Sequence, residues 1–167
     1  MVALSIVDIK DFMNKLLRSE VFDHFLLQEA SISGHISYVL DGHLNMNFYA
    51  KNELEELGLS GLTFTPFSLV RSHCYDLIKG KRTPSSFKFV FLLSPENLER
   101  TLTKSGSGLT PADITACYLN LKYQNQQLVV TTGVSYRTFV LDKSFEFEWD
   151  SLIKKFLKNN LISFEEL

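Results

Sequence analysis

Lys79-Gly80-Lys81-Arg82-Thr83-Pro84 is the densest set of residues able to act on a ligand, with Arg71 and Lys88 flanking it. Cations of this kind neutralise phosphates and release counterions, so Arg71, Lys79, Lys81, Arg82 and Lys88 are the candidate nucleic-acid contacts. The same residues also suit a plain helix exit. Cations are favourable at the negative end of a helix, Gly80 can supply a left-handed cap, and Pro84 stops the chain from continuing. It is not a P-loop, because GxxxxGK[ST] is missing and no helix starts after the lysines. Lys10, Lys15 and Arg18 on the first helix, with Lys154, Lys155 and Lys158 on the last, fit either a face turned to a polyanion or ordinary solvated helices.

Residue types that could carry a reaction are scattered. His24, His35, His43 and His73 form no HxH or HExxH pattern, and Cys74 and Cys117 stand 43 positions apart with no CxxC. Neither a metal site nor a disulfide framework is expected. His35 and His43 flank an expected hairpin and could approach each other across it. His73 and Cys74 are adjacent, so on a helix they diverge by about 100° and form no nucleophile and base pair. Ser105-Gly106-Ser107-Gly108 follows a helix instead of joining a strand to a helix start, so it reads as a linker. Asp8, Asp11, Asp41 and Asp142 are explained as caps or turn residues. No catalytic residue and no cofactor is expected.

The 14 Phe, 6 Tyr and one Trp supply most of a core and leave some to spare. Phe145, Phe147 and Trp149 alternate like an edge strand laid on something apolar, and they are the candidate partner-binding residues. Simple sheet packing is the alternative.

These residues must be positioned by alternating elements. Residues 2–7 read as a strand, and Asp8 caps a helix bearing Ile9, Phe12, Met13, Leu16 and Leu17. Residues 25–33 read as a strand. Ile36, Tyr38 and Leu40, then Asp41-Gly42, then Leu44, Met46 and Phe48 read as a hairpin. Lys51 to Gly61 is a loop or a weak helix. A short strand at 62–65 leads to a helix opened near Pro66 and ended by Gly80. Residues 87–93 read as a strand, and Ser94-Pro95 opens a helix carrying Leu98 and Leu102. Strands follow at 116–123, 128–132 and 136–141, with a turn at 124–126 and a last helix from about Trp149. Residues 164–167 are expected to fray.

Residues 2–80 and 87–158 thus run through the same series of strand, helix, three strands and helix, as a duplicated unit would. Asp8, Phe12 and Leu16 match Ser94, Leu98 and Leu102, and further matches keep offsets of 82 to 86. The alternative is two α+β halves that merely look alike. The fold class expected is α+β, mainly antiparallel, in one domain spanning residues 1–167.

This order of elements, with the stretch ITACYLNLKYQNQQLVVTTGVSYRTFVLD, resembles the DNA sliding-clamp fold, which implies helices turned to DNA. A single clamp domain is shorter than this chain, and ring-forming subunits carry two or three. DIKDFMNKLL, LIKGKRTP, FKFVFLLSPEN and TFVLDK are similar to stretches of an uncharacterised bacterial family of unknown function from Gram-positive anaerobes. That likeness implies a bacterial cytosolic source and carries over no site residues.

Composition limits the function classes. With 17 Lys and Arg against 19 Asp and Glu, the net charge is −2, so nucleic-acid binding would need a local basic patch. Met1 to Ile6 lacks a charged start and a long apolar run, and no stretch approaches the ~18 apolar residues that span a bilayer, so a cytoplasmic protein is expected. The expectation is a non-enzymatic binding or scaffold protein that joins a protein partner or a second copy through a sheet edge. The alternative is DNA binding through the basic residues.

Overall fold

The computed structural model describes residues 1–167. The caps form where their chemistry places them. Asp8 accepts the Asp11 N–H at 2.9 Å at the head of α1 (Ile9–Arg18), and Ser94 with Pro95 opens α4 (Pro95–Ser105). Phe12, Leu16 and Leu17 are the buried face of α1. α2 (Lys51–Glu56) is short and buries nothing, whereas α3 (Phe67–Ile78) and α5 (Ser144–Asn159) bury apolar side chains.

Eight strands make one antiparallel sheet: β1 (Ala3–Ile6), β2 (Phe25–Ser33), β3 (Ser37–Asp41), β4 (Thr65–Pro66), β5 (Ser86–Leu93), β6 (Ile114–Gln124), β7 (Gln127–Tyr136) and β8 (Phe164–Glu166). Their order is β3-β2-β5-β6-β7-β1-β8, with β4 paired beside β2. The fold is therefore α+β, as the alternating patterns predict. Along each strand alternate side chains enter one core, which gathers Leu4, Ile32, Phe89, Leu121 and Val130 from the sheet. The same core takes Phe12 from α1, Phe67 from α3, Leu102 from α4 and Trp149 from α5, so these helices share one face of the sheet. Phe22 sits within it, ringed by Phe12, Phe25, Phe91 and Phe156 at centroid distances of 5.4 to 6.2 Å.

The opposite face is only partly covered. Leu26, Val90 and Leu92 point there and are buried, and the segment 61–64 lies beside Leu26 and Leu92. The remainder of that face is open.

Several elements differ from the sequence reading. Residues 44–48 form no strand: Met46–Phe48 is a 3-10 turn, and β3 pairs back with β2 through a turn at Gly34 to Ile36. Asp41-Gly42 is not the hairpin turn. A Cβ on Gly42 would lie 1.8 Å from the Leu27 carbonyl oxygen, so this glycine serves a close crossing over the irregularity between Leu27 and Glu29 in β2. Residues 137–141 form no strand, because β7 runs unbroken to Tyr136. In α3 the last cap is Lys79 in an extended conformation, with Gly80 beyond it at φ 147°, so the left-handed cap is not at Gly80. The C-terminus is not frayed: β8 pairs with β1, and the Leu167 N–H donates to the Ala3 carbonyl at 3.0 Å.

In chain order residues 2–80 read strand, helix, two-stranded hairpin, short helix, two-residue strand, helix, whereas residues 87–158 read strand, helix, two-stranded hairpin, helix. In space their first strands have different neighbours. β5 lies between β2 and β6, whereas β1 lies between β7 and β8.

Candidate functional site

Register determines which side chains meet on the open face. Val39 of β3, Ser31 of β2, Lys88 of β5, Lys122 of β6, Val129 of β7 and Ser5 of β1 stand opposite one another in a single row. Lys88 and Lys122 are directly opposed, exposed, and joined to no carboxylate. Like charges at this spacing repel, which favours an anion that can lie between them. Neighbouring rows add Ser33, Ser86 and Gln124 on one side and Glu29, Val90 and Asn120 on the other.

The five basic residues named from the sequence divide sharply. Arg71 is engaged by Asp23, with Nε donating to Oδ1 at 2.9 Å and Nη2 to Oδ2 at 3.1 Å, a forked pair that ties α3 to the segment before β2. Lys79 bonds Asp76 at 2.9 Å and lies over the Tyr75 ring; the Asp76 hydrogen bond holds the ammonium pKa above its usual value. Lys81 and Arg82 are exposed and form no ion pair, and Lys88 occupies the open face. On the helices, Lys15 is held by Asp11 and Lys154 by Glu166. Lys122 escaped the sequence reading. The alternation of β6 marks it as outward-facing, but its neighbour Lys88 is 34 residues away in the chain.

The three aromatic candidates also separate. Phe145 and Trp149 are one helical turn apart and buried in α5, so they pack the core and do not form an edge strand. Phe147 faces outward with 70% of its surface exposed. Phe139 and Leu141, in the irregular segment leading into α5, are 88% and 85% exposed. Exposed apolar surface thus also comes from residues 137–141, which form no strand.

The two sheet edges are unequal. β8 has three residues, two of them glutamates, and Glu166 is bonded to Lys154 at 2.8 Å. β3 has five residues, Ser-Tyr-Val-Leu-Asp, without lysine, proline or bulge, and Val39 is 74% exposed. No backbone group of the chain pairs with the outer side of β3. Charged, short or kinked edges resist pairing with other chains, and β3 has neither a kink nor any charge except Asp41 at its end.

Groups suited to catalysis are dispersed. Cys74 and Cys117 are buried, and burial pushes their thiols up to about 11 and about 12, which keeps them protonated at neutral pH. His43 Nδ1 lies 2.7 Å from Asp41, whose carboxyl is held below the usual range chiefly by the His43 backbone N–H. His35 lies in the turn at the other end of β3, so the two histidines do not meet across a hairpin. No three His, Cys, Asp or Glu side chains are grouped to hold a metal ion. Ser105 to Gly108 is a helix exit, with Gly106 left-handed at φ 62°. No helix is long and apolar enough to cross a membrane.

The profile of a family of unknown function (DUF5721) matches residues 15–165, and the chain belongs to that family. No curated protein and no solved structure matches it.

Proposed function

We propose that this member of the family is a non-enzymatic binding or scaffold protein that works by adding a strand to its β3 edge, with a second copy of the chain as the occupant. The observation that supports the reading is the unguarded β3 edge beside a guarded β8 edge on the same sheet. Strand addition draws affinity from main-chain hydrogen bonds and specificity from alternate side chains. On β3 these are Val39 on the open face and Tyr38 and Leu40 on the core side. Sedimentation velocity over a wide concentration range is expected to show a monomer–dimer equilibrium, and Val39→Lys is expected to shift it to monomer with an unchanged melting temperature. Backbone amides of residues 37–41 should exchange more slowly as concentration rises. A wild-type chain that sediments as monomer throughout refutes self-association by this edge.

A second reading, DNA binding, draws on the opposed Lys88 and Lys122 with Lys81 and Arg82 in the segment before β5. A phosphate between the two ammonium groups would relieve their repulsion and release counterions. Anisotropy titrations with single-stranded and duplex oligonucleotides should then show affinity that falls steeply with salt. Lys88→Glu should abolish it while raising the melting temperature slightly, since an opposed like pair becomes an opposed unlike pair. Affinity unaltered by Lys88→Glu rejects this reading. The resemblance to sliding clamps points the same way, and a cytosolic bacterial source would suit either reading.

A further inference from the structure

α4 and α5 lie side by side but do not close on each other, leaving a slot of about 490 Å³ between them. Trp149, Leu152, Ile153 and Phe156 recur at three- and four-residue spacing and give α5 an apolar wall. The facing wall of α4 has the same spacing and opposite chemistry: Asn97, Arg100, Thr101 and Lys104. Phe25 and Leu93 close the slot from the sheet. Helices packed tightly against each other match apolar with apolar, but α4 commits Leu98 and Leu102 to the core and presents polar side chains toward α5. Trp149 and Ile153 of this wall are committed to the core, while the half-buried Leu152 and Phe156 face the polar and cationic side chains of α4 across a gap of ligand size.

One cation at this gap has no carboxylate partner. Arg100 is bonded to Glu96, which does not line the slot, and Lys104 is bonded to no carboxylate. His24 and Glu148 complete the titratable lining. We infer that this slot binds a small amphiphile, with an apolar tail or ring against Leu152 and Phe156 of α5 and an anionic head held by Lys104 of α4. The site is separate from both surfaces treated above, so its failure leaves them untouched.

Trp149 is the single tryptophan of the chain and lines the slot, so its emission reports occupancy directly. Titration with 1-anilinonaphthalene-8-sulfonate is expected to be saturable, with Trp149 emission falling as probe emission rises through energy transfer. Dodecanoate should displace the probe, whereas dodecyltrimethylammonium, with the same tail and opposite charge, should not. Lys104→Glu should weaken probe binding by about tenfold, the ratio one charge-assisted contact supports, at unchanged circular dichroism and melting temperature. Leu152→Gln, on the opposite wall, should weaken it as well. Absence of saturation, equal displacement by the two amphiphiles, or full binding by Lys104→Glu overturns the assignment.

Discussion

Gly42→Ala should cost about 3 kcal/mol of stability, at the upper end of what forced overpacking produces. The added methyl would meet the Leu27 carbonyl oxygen at 1.8 Å, the Leu27 carbonyl carbon at 2.7 Å and the Gln28 carbonyl oxygen at 3.0 Å. All three are backbone atoms of a strand paired on both sides, so none can swing away as the end of a flexible side chain would. Gly42 also donates its N–H to the Gln28 carbonyl at 2.9 Å and accepts from the Thr65 N–H at 2.8 Å, closing the chain where β3 ends and the path toward β4 begins. Relief of the clash must therefore break hydrogen bonds or detach β3. Urea unfolding followed by Trp149 emission gives the loss as a lowered midpoint at similar slope. Gly34→Ala is the matched control: its new methyl finds nothing closer than 4.0 Å, and its midpoint should stay near wild type. An unchanged midpoint for Gly42→Ala would mean that the chain does not cross β2 at this distance. Because Gly42 anchors β3, the substitution should also weaken any association through that edge.

Phe22→Ala is expected to be at least as severe, at about 4 kcal/mol, the usual cost of emptying a fully buried phenylalanine site. Phe22 is fully buried, and its ring touches aromatic neighbours from α1, β2, β5 and α5 at once. Deleting it removes apolar burial and leaves a cavity that four separately anchored elements cannot all move to fill. Phe147→Ala and Phe139→Ala provide the contrast. Both rings are mostly exposed, so their removal should change stability by less than about 0.5 kcal/mol. A chemical denaturation series over the three variants tests the claim, and similar midpoints for all three would show that Phe22 does not organise the core. For a domain of this size a 4 kcal/mol loss would lower the melting temperature by roughly 8 to 16 °C.

Neither experiment depends on what the protein binds, and both bear on it. β3 is presented as a free edge because Gly42 holds its end and the Phe22 cluster holds the sheet beneath it. The surfaces proposed for binding are consequences of that frame.

Much of the frame was legible locally. Asp8 and Ser94-Pro95 mark helix starts because capping needs only a side-chain oxygen three residues from an unpaired N–H. The β6–β7 hairpin follows from two alternating runs joined at Asn125 and Gln126, both with positive φ. Errors arose where one pattern fits two structures. Phe145, Phe147 and Trp149 satisfy a period of two, yet positions 145 and 149 satisfy a helical turn equally well, and the core decides for the helix. Asp41-Gly42 has the residues of a tight hairpin turn, but its glycine is required by a strand that passes beneath it. β8 has too few residues to be recognised by itself and exists because β1 offers an unpaired edge.

The amino-acid order alone determined an antiparallel α+β chain, most helix starts, and a supply of cations and aromatics, because propensity, capping and periodicity act within a few residues of each other. Tertiary structure alone decided that Lys88 faces Lys122, that Asp23 engages Arg71, that Phe147 is exposed while Phe145 and Trp149 are not, and that β3 is left open. Those outcomes depend on strand register and helix docking between residues far apart in the chain, where the free energy belongs to the pair in contact and to neither segment by itself.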